Sequence, residues 1–302
     1  MTIPFNKQFE FEYGRCDQLS ARVQRVIADN PGPFTYTGTG VYIIGGAEAG
    51  SQVAVIDPGP NTRAHKDALW KALDGRTVSH VLVTHHHMDH SPLAKPLAEA
   101  HGCKVSGYGL QMRPPEGGDV RLEAGDDLSF KPDVEIRNGD IIKGENWTVE
   151  AIHTPGHTSN HLCFALLEDN ILFSGDHIMG WSTSVVSPPD GHMGDYLNSL
   201  NTILMRNFDR IWPTHGTSIE NPKEFVTAYI AHRHLRESQI LEAIKSGLHS
   251  IGAMVANIYK DVDKRLHPAA AHSVLAHLIH MEETGRVTSN GTGGLKSQYY
   301  IP

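Results

Sequence analysis

Cysteine is scarce in this 302-residue chain: Cys16, Cys103 and Cys163, far apart and odd in number. They form no CxxC pair. This speaks against a disulfide framework and predicts reduced thiols, read as small buried apolar residues. Long hydrophobic runs are also missing. No stretch approaches the roughly 20 apolar residues of a membrane-spanning helix. The opening MTIPFNKQFEFEYGRC has no apolar core of signal-peptide length. The expectation is a cytoplasmic protein with no membrane association. Basic excess is absent too: 26 Lys and Arg stand against 34 Asp and Glu, a net charge of −8. That balance argues against general affinity for nucleic acid or anionic lipid. No internal repeat of solenoid length is visible.

What remains is an ordinary globular composition, 39% hydrophobic and 20% charged, with 20 histidines. The length suits a large core or a core plus a small extra domain.

Along the chain, VYIIG and VAVID read as β-branched strands within 34–57, the second ending in the Asp57-Pro58-Gly59-Pro60 turn. A helix is expected over 62–74, stopped by Gly75. VSHVLVT is a buried strand running directly into HHHMDH; Ser91-Pro92 then reads as N-cap and first-turn proline of a helix reaching His101. Pro96 is expected to distort its first turns. Residues 111–133 read as an exposed loop, 134–177 as strands, and 194–206 as a helix before the strand DRIWPTHG. At 221 the character changes to a long helix, two shorter helices and a hairpin around Asn290-Gly291, the pattern of a small winged-helix domain.

The chemistry concentrates at strand ends. His85 and His87 are two apart in an extended segment and can reach one metal together; Asp89 and His90 follow at once. Imidazole suits zinc, copper, iron or nickel, and a carboxylate adds charge. His157 lies in TPGHT, Asp176 in SGD and His215 in PTHG, each at a strand end, where α/β proteins place sites.

HxHxDH, TPGHT, SGD and PTHG in this order, with the Asp57 turn before them, resemble the metallo-β-lactamase superfamily over roughly residues 20–220. The resemblance implies an α+β fold: a four-layer αβ/βα sandwich with metals at one edge between two sheets, followed by the winged helix. The implied division is 1–220 catalytic, 221–247 connecting helix and 248–302 winged helix. It implies that His85, His87 and His157 bind a first metal, that Asp89, His90 and His215 bind a second, and that Asp176 bridges them. It also implies two divalent ions, zinc favoured over iron or manganese. A hydroxide they share would attack an ester, thioester or lactone carbonyl, with Asp89 orienting it and no protein nucleophile. Asp57 and Thr84 are the expected supports of the ligands, Thr158 a weaker one. His86 is expected to point away, and His161 to line the pocket or serve structure. The histidines after 230 read as helix-surface or packing residues. Trp181, with loop 181–191, is a candidate pocket wall, and Tyr229 with Arg233, one turn apart, a candidate clamp for a substrate anion.

Endoribonuclease-like members with a C-terminal winged helix, and glyoxalase-II-like thioesterases, are both similar in pattern. A small-molecule substrate is the first reading and single-stranded RNA the alternative. Residues 248–302 hold five basic against four acidic side chains, a net of +1, which is no basic patch. The intact ligand set disfavours a DNA-binding or metal-sensing regulator, and the missing signal disfavours β-lactam hydrolysis as main role. A homodimer is compatible with the chain.

Overall fold

The computed structural model describes residues 2–8, 10–110, 125–291 and 293–302, so most of the stretch expected as an exposed loop at 111–133 lies outside the described residues. Among the described residues the first sheet has seven strands in sequence order: β1 (Cys16–Gln18), β2 (Val23–Ile27), β3 (Gly40–Ile44), β4 (Gln52–Ile56), β5 (Thr77–Leu82), β6 (Lys104–Gly107) and β7 (Val134–Glu135). Its first four strands form an antiparallel meander; from β4 onward the pairing is parallel. Parallel neighbours need crossovers. These are α1 (Arg63–Ala72) between β4 and β5, and α2 (Ala94–His101) between β5 and β6.

The second sheet comprises β8 (Ile141–Lys143), β9 (Thr148–His153), β10 (Leu162–Leu166), β11 (Ile171–Gly175) and β12 (Arg210–Pro213), in the order β12-β11-β10-β9-β8. The crossover into parallel β12 is α3 (Met193–Met205).

Side-chain alternation along the strands sets the layers. Tyr42, Ile44 and Ile56 face Phe164, Ala151 and Phe173 of the second sheet in a shared inner core. Their neighbours Val41, Ile43 and Val55 turn the other way, onto Leu69 of α1, Leu73 just past its end and Leu97 of α2. On the far side, Ile152, Cys163 and Leu172 pack against Tyr196 and Leu200 of α3 and Phe225 and Tyr229 of α4 (Pro222–Lys245). Helix, sheet, sheet, helix is the expected sandwich. Strands apolar on both faces are what a doubly covered sheet requires.

Beyond the sandwich, α5 (Ile251–Ile258), α6 (His267–Glu283) and the short pair β13 (Thr288–Ser289) and β14 (Tyr299–Tyr300) enclose a separate core with the end of α4. The winged-helix pattern is present. Its hairpin is not a tight turn at Asn290-Gly291, because Thr288 pairs with Tyr300 and residues 290–298 intervene.

Three local expectations change. Helix α2 starts at Ala94 rather than at a Ser91 cap, and the Ser91 hydroxyl instead donates to Asp127 at 2.8 Å. Pro96 falls in the first turn, where its missing N–H needs no partner, so the helix takes it without a break. Cys16 is exposed and Cys103 half-buried; only Cys163 is the buried apolar residue expected. Among the described residues no helix is long and apolar enough to cross a membrane.

Candidate metal centre

Both sheets end their strands toward one edge, and the seven expected side chains leave from those ends. His85, His87, Asp89 and His90 follow β5, His157 follows β9, Asp176 follows β11 and His215 follows β12. Two tight turns make this possible. Gly156 has φ 137°, and a Cβ there would lie 2.4 Å from Tyr196. Gly175 has φ 52°, and a Cβ there would lie 2.6 Å from His161 Nε2. Only glycine passes at either place.

Among the described residues, ligand-type atoms gather in three overlapping buried triads: His85, His87 and His157; His85, His90 and Asp176; Asp89, His90 and His215. His85 Nε2 stands 2.9 Å from His87 Nδ1 and 3.3 Å from His157 Nε2. His90 Nε2 lies 3.3 Å from Asp89 Oδ2 and 3.6 Å from Asp176 Oδ1. His215 Nε2 lies 3.2 Å and 3.4 Å from the same two oxygens. One triad, His85, His90 and Asp176, draws on both expected sets.

The outer ring atoms reveal the tautomers. His157 Nδ1 faces the Val185 carbonyl at 2.7 Å, and His215 Nδ1 the Gly38 carbonyl at 3.1 Å. A carbonyl only accepts, so both Nδ1 atoms carry a proton and both Nε2 atoms point inward. His90 Nδ1 donates to Asp57 Oδ2 at 2.9 Å with the same result. Yet the inward His90 Nε2 and Asp176 Oδ1 are buried with no hydrogen-bond partner among the described residues. Lone pairs from rings and carboxylates converging on common points, sealed from water, call for a cation. The electrostatics show what would compete with such a cation: a proton, which metal binding at these nitrogens would displace. Burial works to lower His90 and His215, but Asp89 and Asp176 raise His90 well above its ordinary value and His215 to about 10. Burial likewise opposes ionisation of Asp89 and Asp176, and the facing histidines still hold both well below the carboxylate range. On the other side, burial pushes His85 well down, with His90, His87 and His157 adding to the effect. The residues fit divalent metal ions.

Around this centre lies a supporting layer. Asp57, at φ 48°, accepts from the Thr84 amide and hydroxyl at 2.7 Å each. His86 points away, its Nδ1 2.9 Å from Asn160 Oδ1. His161 serves structure: its Nε2 accepts from the Asp176 amide at 3.1 Å. Thr158 donates to Asn160 at 3.0 Å, not to a ligand.

Two supports escaped the sequence. Thr39 donates to Asp89 Oδ2 at 3.2 Å, its own oxygen accepting from Asn30. Asp126 Oδ1 faces His87 Nε2 at 3.5 Å and His86 Nε2 at 3.3 Å, clipped against the loop by the Met88 amide on Gly125 O. No motif marked Thr39 in the sequence, and Asp126 sat in a stretch without pattern.

Trp181 lies on the His215 side, beside Gly216 and stacked on Tyr36 at 4.8 Å. Tyr229 and Arg233 are not displayed to a substrate. They are 0% and 3% exposed, and the Tyr229 hydroxyl and Arg233 Nη2 are spent on the carbonyls of Ser182, Met179 and Ser184. One-turn spacing put them on one face as expected, but α4 buries that face against α3 and the 178–185 loop.

The comparisons with known proteins come to the same place. A model of the metallo-beta-lactamase superfamily matches residues 38–215, and one of the beta-lactamase associated winged helix domain matches 250–295. A Drosophila melanogaster beta-lactamase-like protein 2 homolog is 32% identical over 297 residues, 94% of this chain and 96% of that one. An atrochrysone carboxyl ACP thioesterase of Cryptosporiopsis sp. is 33% identical over 231 residues, 76% of this chain and 65% of the relative's length. Among solved structures, a beta-lactamase domain protein of Burkholderia ambifaria superposes with TM-score 0.78 at 19% identity, covering 100% of this chain and 97% of that one. With a superfamily model over its sandwich and an end-to-end relative, the chain belongs to the metallo-β-lactamase superfamily and is one of its hydrolases.

Proposed function

We propose that this hydrolase is a dinuclear zinc enzyme that cleaves an acyl thioester of a small molecule, with esters and lactones as chemical neighbours. The carrying observation is the set of three overlapping buried triads built from seven side chains. His85, His87 and His157 would hold one ion, Asp89, His90 and His215 the other, and Asp176 both. When bound, such a pair supplies Lewis acidity to a carbonyl and acidifies water to a pKa of about 7.

The chain's own residues do the rest. Asp57, Val185 O and Gly38 O hold the rings through Nδ1 so that Nε2 faces the centre and would ligate a bound ion. Thr39 orients Asp89 through Oδ2. Asp89 in turn orients the attacking water, and no side chain is needed as nucleophile. Trp181, braced by Tyr36, forms the wall for the acyl portion on the His215 side.

Thioester is preferred because two relatives, of Cryptosporiopsis sp. and Paecilomyces divaricatus, are named as acyl carrier protein thioesterases. The net charge of −8 favours a small molecule over RNA. The test is elemental analysis after zinc reconstitution, then a screen of thioester, lactone, β-lactam and single-stranded RNA on wild type and Asp89→Ala. About two zinc ions per chain and thioester turnover lost in the variant are expected. Occupancy below one ion per chain after reconstitution sinks the dinuclear reading, and RNA turnover exceeding thioester turnover sinks the substrate class.

A further inference from the structure

Loop 178–191 supplies no ligand, yet one ligand hangs from it. His157 Nδ1 donates to Val185 O at 2.7 Å. The preceding carbonyl, Ser184 O, accepts from Arg233 Nη2 at 2.5 Å. The Tyr229 hydroxyl lies 2.5 Å from Ser182 O and 2.8 Å from Met179 O, and accepts from the Met179 amide at 3.2 Å. Farther on, Ser187 Oγ lies 3.3 Å from His272 Nδ1. These grips come from α4 and α6. Loop 178–191 therefore sits between the metal centre and the C-terminal helices, held from behind.

Arg233 carries the most telling of these contacts. A guanidinium 3% exposed is costly to bury, and a charged donor makes a stronger hydrogen bond than a neutral one. Its Cζ stands 5.0 Å over the Tyr196 ring, which holds the fork in place, and the Tyr196 hydroxyl donates to His177 O at 2.7 Å, on the residue after Asp176. The guanidinium is thus fixed between two segments that each border a ligand.

We infer that Arg233 is a positioning residue for His157. It pins the Ser184 carbonyl, this fixes the Val185 carbonyl one residue on, and that carbonyl sets the ring of His157. The C-terminal helices thereby help to build the metal centre, which gives this region a role that needs no nucleic acid. The inference rests on the reading of His157 as a ligand.

The test is zinc affinity by chelator competition, read beside the thermal unfolding midpoint. Variants are Arg233→Met, Arg233→Lys and Tyr229→Phe, with His157→Ala as reference and Arg286→Met as control. Arg286 pairs with Glu237 in the C-terminal core and does not touch the loop. Folded Arg233→Met is expected to bind zinc about 10-fold more weakly, with Arg233→Lys between it and wild type and Tyr229→Phe weaker than wild type by about threefold. Arg286→Met is expected to melt earlier with zinc affinity within about twofold of wild type. Where Arg233→Met does not fold, Arg233→Lys and Tyr229→Phe decide. Wild-type zinc affinity in both, alongside a loss in His157→Ala, overturns the inference. Wild-type affinity in His157→Ala overturns the ligand reading itself, and the inference falls with it.

Discussion

Asp57 and His90 are joined across two strand ends: Asp57 Oδ2 accepts from His90 Nδ1 at 2.9 Å while the same oxygen accepts from the Thr84 hydroxyl at 2.7 Å. One fully buried carboxylate thus fixes the ring of a histidine of the candidate metal centre and the start of the loop that carries it.

Removing that carboxylate frees the ring. Asp57→Ala is expected to weaken metal binding by about 10- to 100-fold, the usual effect of losing a ligand's hydrogen-bond partner. Asp57→Asn keeps the shape and loses the charge, so it should fall between. Chelator competition on the folded variants checks the order; equal affinity in Asp57→Ala and wild type contradicts it.

Asp126 gives a second, independent handle, because it acts on His87 from outside the strands. Hydrogen bonds to His86 and His87 hold its carboxyl far below the usual range. Asp126→Ala should lower zinc affinity by about 10-fold with a small change in unfolding midpoint. Titration calorimetry of zinc into the stripped protein reads this directly. A wild-type binding curve rules the link out.

Trp181 separates binding from chemistry. Trp181→Ala should raise KM for a long-chain or aromatic acyl thioester by about 10-fold or more, since a lost aromatic contact is worth about 1–3 kcal/mol. An acetyl thioester should lose less. Steady-state kinetics on the two substrates make the comparison. Equal losses on both count against the wall assigned to Trp181.

His277 predicts how the C-terminal core responds to acid. It is 0% exposed, neither ring nitrogen has a hydrogen-bond partner among the described residues, and Glu237 Oε1 stands 3.8 Å away. Burial, helped by Arg233 and Arg236 and opposed by Glu237, lowers its pKa from 6.5 to about 4. A depressed histidine means that the unfolded chain takes up the proton first. Stability is therefore full above pH 6.5 and is lost as pH falls toward 4, by about 3 kcal/mol in all. Urea unfolding of metal-stripped wild type and His277→Gln between pH 7 and 4 should show a flatter pH dependence in the variant. Parallel curves would refute the assignment.

The sequence displayed the proposed ligand residues because chemistry restricts such residues to few types and the fold restricts them to strand ends. VSHVLVT and NILFSGD announce buried strands by their apolar runs, and the proposed ligands follow at once. The strand VQRVI was hidden because its buried polar residues break the pattern: Gln24, 1% exposed, donates to Gly45 O, and Arg25 is 6% exposed. Thr39 and Asp126 were invisible for a different reason. A supporting side chain is defined by what it touches across the fold, and Asp126 reaches His87 from a stretch with no periodicity of its own. Tyr229 and Arg233 show the limit of helical spacing: it fixes which residues share a face, not what that face meets.

Helix α4 carries Phe225, Val226 and Tyr229 into the sandwich core and Ile240, Ala243 and Ile244 into the winged-helix core. A rigid rod anchored in two places ties their fates together: neither can loosen its end without prising the other. The two halves should therefore melt as one cooperative body. The winged helix is in that sense a keystone of the enzyme rather than a detachable appendage, and grafting another domain in its place would have to recreate the far end of this helix.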